Sequence, residues 1–174
     1  MTEILILFAI IEKELTMYGI QKAISDVYNA YTKPSFGALK PSLNKLEKNG
    51  FVISRRTLSD GGKQSGYYSI TSEGKKELKR LLLEDLTENP IQFFSNARIK
   101  LSCASVLNKE EISELFNKLK MKSLEHKFEA ENILNDEYTS LTFYQRVVLD
   151  NAVCEYQNFA NLIENLEKEH ASNS

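Results

Sequence analysis

"PSFGALKPSLNKLEKNGFV", residues Pro34 to Val52, holds Leu39, Leu43 and Leu46 at helical spacing, places Pro41 among them and ends in Asn49-Gly50. At about 100° per residue the three leucines share one face. Gly37, Pro41, Asn44, Lys45 and Lys48 lie opposite, with Lys40 beside them. Ser35 is a good N-cap after Pro34. Proline has no N–H and is tolerated only near a first turn, so the helix is expected to begin between Ser35 and Ala38. Gly50 suits the left-handed residue that closes it. The first N–H groups and the positive end of the dipole are then left to face something anionic.

The flanks explain what this helix is for. Phe51–Leu58 reads as a strand, Ser59–Ser65 as a polar, basic turn and Tyr67–Ile70 as a second strand. Thr71 caps a helix with Glu73 in its first turn, continuing through Leu78, Leu81, Leu82 and Leu86. Upstream, Ile4, Leu5, Leu7, Phe8 and Ile11 form a short helix. Thr16 caps a second one, with Tyr18, Ile20, Ala23, Ile24, Val27 and Tyr28 as its apolar side. Three helices and a two-stranded hairpin make a winged helix, in which the third helix reads the major groove and the hairpin tip is the wing.

Asn89-Pro90 breaks the pattern. Beyond it, Ile91–Val106 is expected to be helical, Asn108 caps a helix running to about Glu137, and a last helix spans Leu141–Lys168. In that last helix Leu149, Ala152, Tyr156, Phe159, Ile163 and Leu166 alternate gaps of three and four, a heptad seam. Two long helices with this much apolar surface cannot bury it all against each other, and a second copy of the chain is the simplest cover. The expected fold is therefore mainly α, with an α+β N-terminal half. A winged-helix DNA-binding domain (1–88) precedes a helical dimerisation domain (89–170) and a disordered tail (171–174). Phe128, Leu149, Tyr156, Phe159, Ile163 and Leu166 are expected at the dimer contact.

Charge follows the same division. Residues 1–82 carry thirteen Lys/Arg against eight Asp/Glu, and residues 83–174 nine against sixteen, so a net +5 half precedes a net −7 half. Residues 33–63 alone hold seven basic and two acidic side chains. Such segregation points to a polyanion-binding half. The longest apolar run, Ile4–Ile11, is far short of a membrane span and lacks the flanks of a signal peptide. The cytoplasm is the expected setting, with no membrane partner. Cys103 and Cys154 read there as small buried apolar residues. Neither Cys-x-x-Cys, HExxH nor a Gly-rich phosphate loop occurs, and the spacing of His126, Cys103 and Cys154 carries no metal signal. An enzyme, a metal and a cofactor are not expected.

"MYGIQKAI" (Met17–Ile24), "SFGALKPSLNKLEKNGFV" (Ser35–Val52) and "GGKQSGYYSITSEGKKEL" (Gly61–Leu78) together resemble the PadR family of winged-helix transcriptional regulators. Gly37, Leu39, Pro41, Leu43, Leu46, Glu47 and Gly50 match the family's middle motif, while Ala38, Lys40 and Lys45 stand in place of its threonine, tyrosine and arginine. The helical half resembles the C-terminal domain of the virulence-activator-like branch. The resemblance implies a homodimer on pseudo-palindromic double-stranded operator DNA, commonly a repressor released by a small-molecule effector. On this fold Lys33, Lys40, Lys45 and Lys63 are assigned to phosphates. Ser35, Gly37 and Asn44 are the base-edge or close-approach candidates. Gln64 either enters a minor groove or decorates the wing. Tyr18 either bonds a phosphate or packs on the third helix. Of Arg55 and Arg56, on opposite sides of their strand, at most one faces DNA. A protein–protein adaptor with the same fold is the alternative, disfavoured by the basic third helix and wing.

Overall fold

The computed structural model describes residues 1–30, 32, 35–58 and 64–172. Along the chain these form α1 (Thr2–Ala9), β1 (Leu15–Thr16), α2 (Met17–Tyr28), α3 (Phe36–Lys48), β2 (Val52–Leu58) and β3 (Gln64–Ile70). Then follow α4 (Ser72–Leu83), α5 (Pro90–Ser102), a 3-10 turn (Ala104–Val106), α6 (Lys109–Asn135) and α7 (Phe143–Ser172). Two compact units result: Met1–Glu84 with Phe94–Leu107, and Asp85–Phe93 with Asn108–Ser174.

The first unit is a winged helix. Thr16 caps α2 by accepting from the Gly19 N–H (3.1 Å), and Ser35 caps α3 by accepting from Ala38 (3.3 Å). Leu39, Leu43 and Leu46 are buried, as are Ile4–Leu7 and Ile10 of the first helical segment, Ile20 and Ile24 of α2, and Leu78 and Leu82 of α4. Burying each such side chain contributes about 1.5–3 kcal/mol. Pro41 sits past the first turn of α3, deeper than its chemistry favours, and deprives the Gly37 carbonyl of its usual donor. The wing sheet has three strands in the order β1-β3-β2, all antiparallel, where two were expected. The added strand, Leu15–Thr16, is too short to leave a periodic signature.

The junction between α3 and the sheet is closely specified. Gly50 has φ 75°, its N–H bonds to the Glu47 carbonyl (3.0 Å), and the Phe51 N–H bonds to the Leu46 carbonyl (3.0 Å). This pair of bonds closes a helix through a left-handed residue. Thr71 then receives the turn. Its hydroxyl donates to the Gly50 carbonyl (2.8 Å), its N–H donates to the Phe51 carbonyl (3.0 Å), and its oxygen caps α4 at Gly74 (3.0 Å). Gly74 is buried, and a Cβ there would lie 2.0 Å from the Phe51 carbonyl oxygen, so only glycine fits.

Residues Phe94–Leu107 belong to this unit rather than beyond a boundary after residue 88, as Asn89-Pro90 had suggested. Buried Lys100 donates its ammonium to the Leu82 carbonyl (3.1 Å) and to that of Glu84, satisfying the C-terminal end of α4. α4 accordingly stops at Leu83, short of the expected Leu86. Cys103 Sγ lies 3.2 Å from the Tyr28 hydroxyl.

In the second unit α6 opens with a capping box, Asn108 accepting from the Glu111 N–H (2.8 Å) while the Glu111 carboxylate accepts from the Asn108 N–H (2.7 Å). α6 and α7 run antiparallel, as the Lys120–Glu167 (2.8 Å) and Ser123–Tyr156 carbonyl (2.8 Å) contacts show. Phe93 is fully buried and meets His126, Tyr156 and Phe159 edge-on at ring separations of 5.3, 5.8 and 5.5 Å.

Within the single chain, part of the α7 seam already has a neighbour. Tyr156, Phe159 and Ile163 are buried within their own chain by α6 and Phe93, because a heptad seam specifies a helical neighbour without saying whose. Leu149 and Leu166 are half-buried, and Phe128 is 62% exposed. The tail expectation also shifts: α7 continues to Ser172, whose hydroxyl bonds the Lys168 carbonyl (2.8 Å), and residues 173–174 lie outside the described ones. Cys154 is exposed, on the solvent side of α7, and not buried as expected.

Gly74→Ala is expected to lower stability by about 3 kcal/mol, read as a fall in the urea midpoint. Gly66→Ala, whose Cβ would meet nothing nearer than 3.8 Å, should stay within about 0.5 kcal/mol of wild type.

Candidate nucleic-acid interface

The exposed surface of α3 is built by its buried stripe. With Leu39, Leu43 and Leu46 turned inward, Ser35, Phe36, Gly37, Ala38, Lys40 and Asn44 are all exposed. No acidic residue occupies the first turn of α3. The Ser35 hydroxyl satisfies only the Ala38 N–H, so the positive end of the helix stays open to an anion. Gly37 leaves the backbone bare: a Cβ there would meet only Ser35 Oγ, at 3.6 Å.

The cations divide into two groups. Lys40 and Arg56 are exposed and have no ion-pair partner among the described residues. Lys45 donates to Glu3 on α1 (2.7 Å), which raises its pKa. It is placed about 120° from Leu39 on the side away from Lys40, so it faces α1, whereas the sequence had grouped it with the outward set. On β2, Arg55 forms a two-pronged pair with Glu14 and lies 5.1 Å from the Tyr67 ring centroid. Hydrogen bonding to Arg55 pulls the Glu14 carboxyl below its ordinary range. Arg56, on the opposite side of the strand, is the one left over. Glu47, on α3, accepts from the Ser54 hydroxyl.

Tyr18 is 68% exposed at the start of α2 and is not packed away. Lys33 and Lys63 lie outside the described residues, as does the Gln64 side chain. The sequence reading passed over Phe36 because it counted only polar groups as readers. Its exposure follows from its place at the first residue of α3, one turn ahead of the first leucine of the stripe.

Among the described residues neither unit assembles a reactive constellation. No group of three metal-ligating side chains occurs among the described residues. Burial pushes the Cys103 thiol up, so it stays protonated and unreactive. His126 lies between Phe93 and Tyr156 with its Nδ1 3.1 Å from Glu129. No described helix is long and apolar enough to cross a membrane.

A winged helix whose third helix has an open, basic start is an arrangement suited to DNA binding. Residues 6–80 match the model of the transcriptional regulator PadR-like family. The negative transcriptional regulator PadR of Bacillus subtilis (strain 168) is 24% identical over 166 residues, 88% of each chain. Among solved structures, Bacillus subtilis PadR in complex with operator DNA is similar, at TM-score 0.46, 21% identity and 96% coverage of each chain. The virulence activator AphA of Vibrio cholerae is similar at TM-score 0.39 and 20% identity over the full length of both. The matched residues run from within α1 to within α4, the winged-helix part of the chain.

The division of cations has a measurable consequence. Lys40→Ala should weaken DNA binding and reduce the slope of log K against log salt by about 0.9 per protomer. Lys45→Ala should leave that slope unchanged, as read by fluorescence anisotropy between low and physiological salt.

Proposed function

We propose that the protein is a homodimeric repressor that lays two copies of α3 into successive major grooves of a pseudo-palindromic operator and leaves it when a small molecule binds. The observation that carries this reading is the open end of α3: a capped helix start with exposed Ser35, Gly37 and Lys40, held rigidly by three buried leucines. Phosphates would be taken by Lys40, Arg56 and Tyr18, together with Lys33 and Lys63. Ser35, Gly37 and Asn44 would approach the bases. Repression is favoured by the similarity to the negative transcriptional regulator PadR of Bacillus subtilis. Such a regulator works beside the chromosome, in the cytoplasm of a bacterial or archaeal cell.

The dimer reading rests on apolar surface that the single chain leaves in water. Phe128 (62%), Phe143 (74%), Tyr144 (79%) and Val148 (67%) are exposed on α6 and the first half of α7. A groove of about 420 Å³ runs along Leu141, Tyr144, Val148 and Leu149. Exposed apolar surface of this kind marks a partner face, and a second copy supplies the matching groove and ridge at once. For the effector, the winged-helix unit offers a cavity of about 250 Å³ lined by Leu5, Phe8, Ala23, Ile24, Val27 and Tyr28. Its walls are mostly apolar, with the hydroxyl-bearing Tyr28 and Ser102 among them, which suits a small single-ring compound.

The test is a mobility shift on the intergenic DNA flanking the protein's own reading frame. Wild type should retard a discrete fragment at low salt, and Lys40→Glu should abolish the shift while circular dichroism stays native. Absence of any shifted fragment defeats the DNA-reading proposal. Separately, the Tyr144→Asp, Val148→Asp double variant should sediment as a monomer and lose tight operator binding, and a variant that remains dimeric moves the interface elsewhere.

A further inference from the structure

Phe36 is 41% exposed although it is a large apolar side chain at the start of the helix that carries the interface. Its position explains this. It lies about 60° from Leu39 on the Lys40 side, one turn ahead of the leucine stripe, so only part of the ring is covered by the domain. Its neighbours are small. Ser35 is occupied in capping Ala38. Gly37 has no side chain, and Ala38 has only a methyl. The tip of α3 therefore presents a single bulky group, and that group can neither donate nor accept a hydrogen bond.

Base edges in the major groove are polar, with one exception. Guanine shows acceptors, adenine an acceptor and a donor, cytosine a donor, and thymine adds a 5-methyl group. A phenyl ring at the tip of a reading helix gains nothing from the polar edges and removes a methyl group from water. We infer that Phe36 reads a thymine 5-methyl group in each half-site, and so sets operator sequence at a position where Lys40 and the backbone are blind. This rests on the proposal that α3 enters the major groove. The same contact would accept 5-methylcytosine in place of thymine at that step, since the methyl occupies the same place on the groove edge.

The experiment begins with selection of bound sequences from a random DNA pool by the full-length wild-type protein. Each thymine of the selected operator is then replaced singly by deoxyuridine, which removes the methyl and nothing else, and affinity is read by fluorescence anisotropy. One thymine per half-site should lose about fourfold in affinity, the effect of one buried methyl. Phe36→Ala should bind the thymine and uracil operators equally, and Phe36→Leu should keep part of the preference. The wild-type uracil scan needs no variant, so a folding defect in Phe36→Ala cannot mask the answer. A flat scan, or a methyl dependence that persists in Phe36→Ala, overturns the assignment. Failure to enrich any sequence removes the groove-reading proposal itself, and the role of Phe36 with it.

Discussion

The Phe51 carbonyl is where the winged helix is locked. It sits between the end of α3 and the start of α4, accepts the Thr71 N–H, and occupies the space that a side chain at residue 74 would need. Gly50 turns the chain with φ 75°, and the Thr71 hydroxyl holds its carbonyl. These contacts fix where α3 stops, and the leucine stripe fixes how it is rotated. A reading helix must satisfy both constraints. Rotation by one residue would turn Lys40 and Asn44 about 100° away from the surface they now occupy. The exposed chemistry of α3 is therefore a consequence of apolar burial on its other side and of a glycine on a different helix.

Electrostatics divide along the same geometry. Net charge alone suggests that every basic residue between 33 and 63 serves one surface. The structure gives two of them internal partners: Lys45 is tied to α1 through Glu3, and Arg55 to Glu14. Both pairs are solvent-exposed, so they add little to stability. Their effect is to aim side chains. Arg55 is drawn over Tyr67, while Lys40 on α3 and Arg56 on β2 are left without an ion-pair partner among the described residues. A cluster of cations in sequence thus becomes a smaller, oriented set in space.

Much of this architecture was legible in the residues. Period-3.6 leucines, a serine cap, a closing glycine and a polar hairpin each carry a local cause, and the caps at Thr16, Ser35, Thr71 and Asn108 all form as their side chains dictate. What was not legible depends on contacts distant in sequence. The strand Leu15–Thr16 exists because Tyr67 and Tyr68 offer it a ladder. Lys100 has a buried role only because the carbonyls of Leu82 and Glu84 meet its ammonium. The partners of Lys45 and Arg55 lie 42 and 41 residues away, beyond any helical or strand period.

The seam of α7 shows the same limit in a form that bears on assembly. Its repeat continues from Leu149 to Leu166 without a break, yet its burial changes along the way. From Tyr156 to Ile163 the holes are filled by α6 and by Phe93, whose ring faces Tyr156 and Phe159. Toward its start, α7 meets the last turns of α6, which ends at Asn135, and Phe143, Tyr144, Val147 and Val148 are left in water. The second half of the helix is therefore stabilised within the protomer, and the first half retains apolar area that only another surface can cover. On the dimer reading, folding and association draw on different stretches of one helix. Substitutions at Phe159 and at Tyr144 should then be separable, the first unfolding the unit and the second parting the copies. A single continuous dimer seam would not allow that separation.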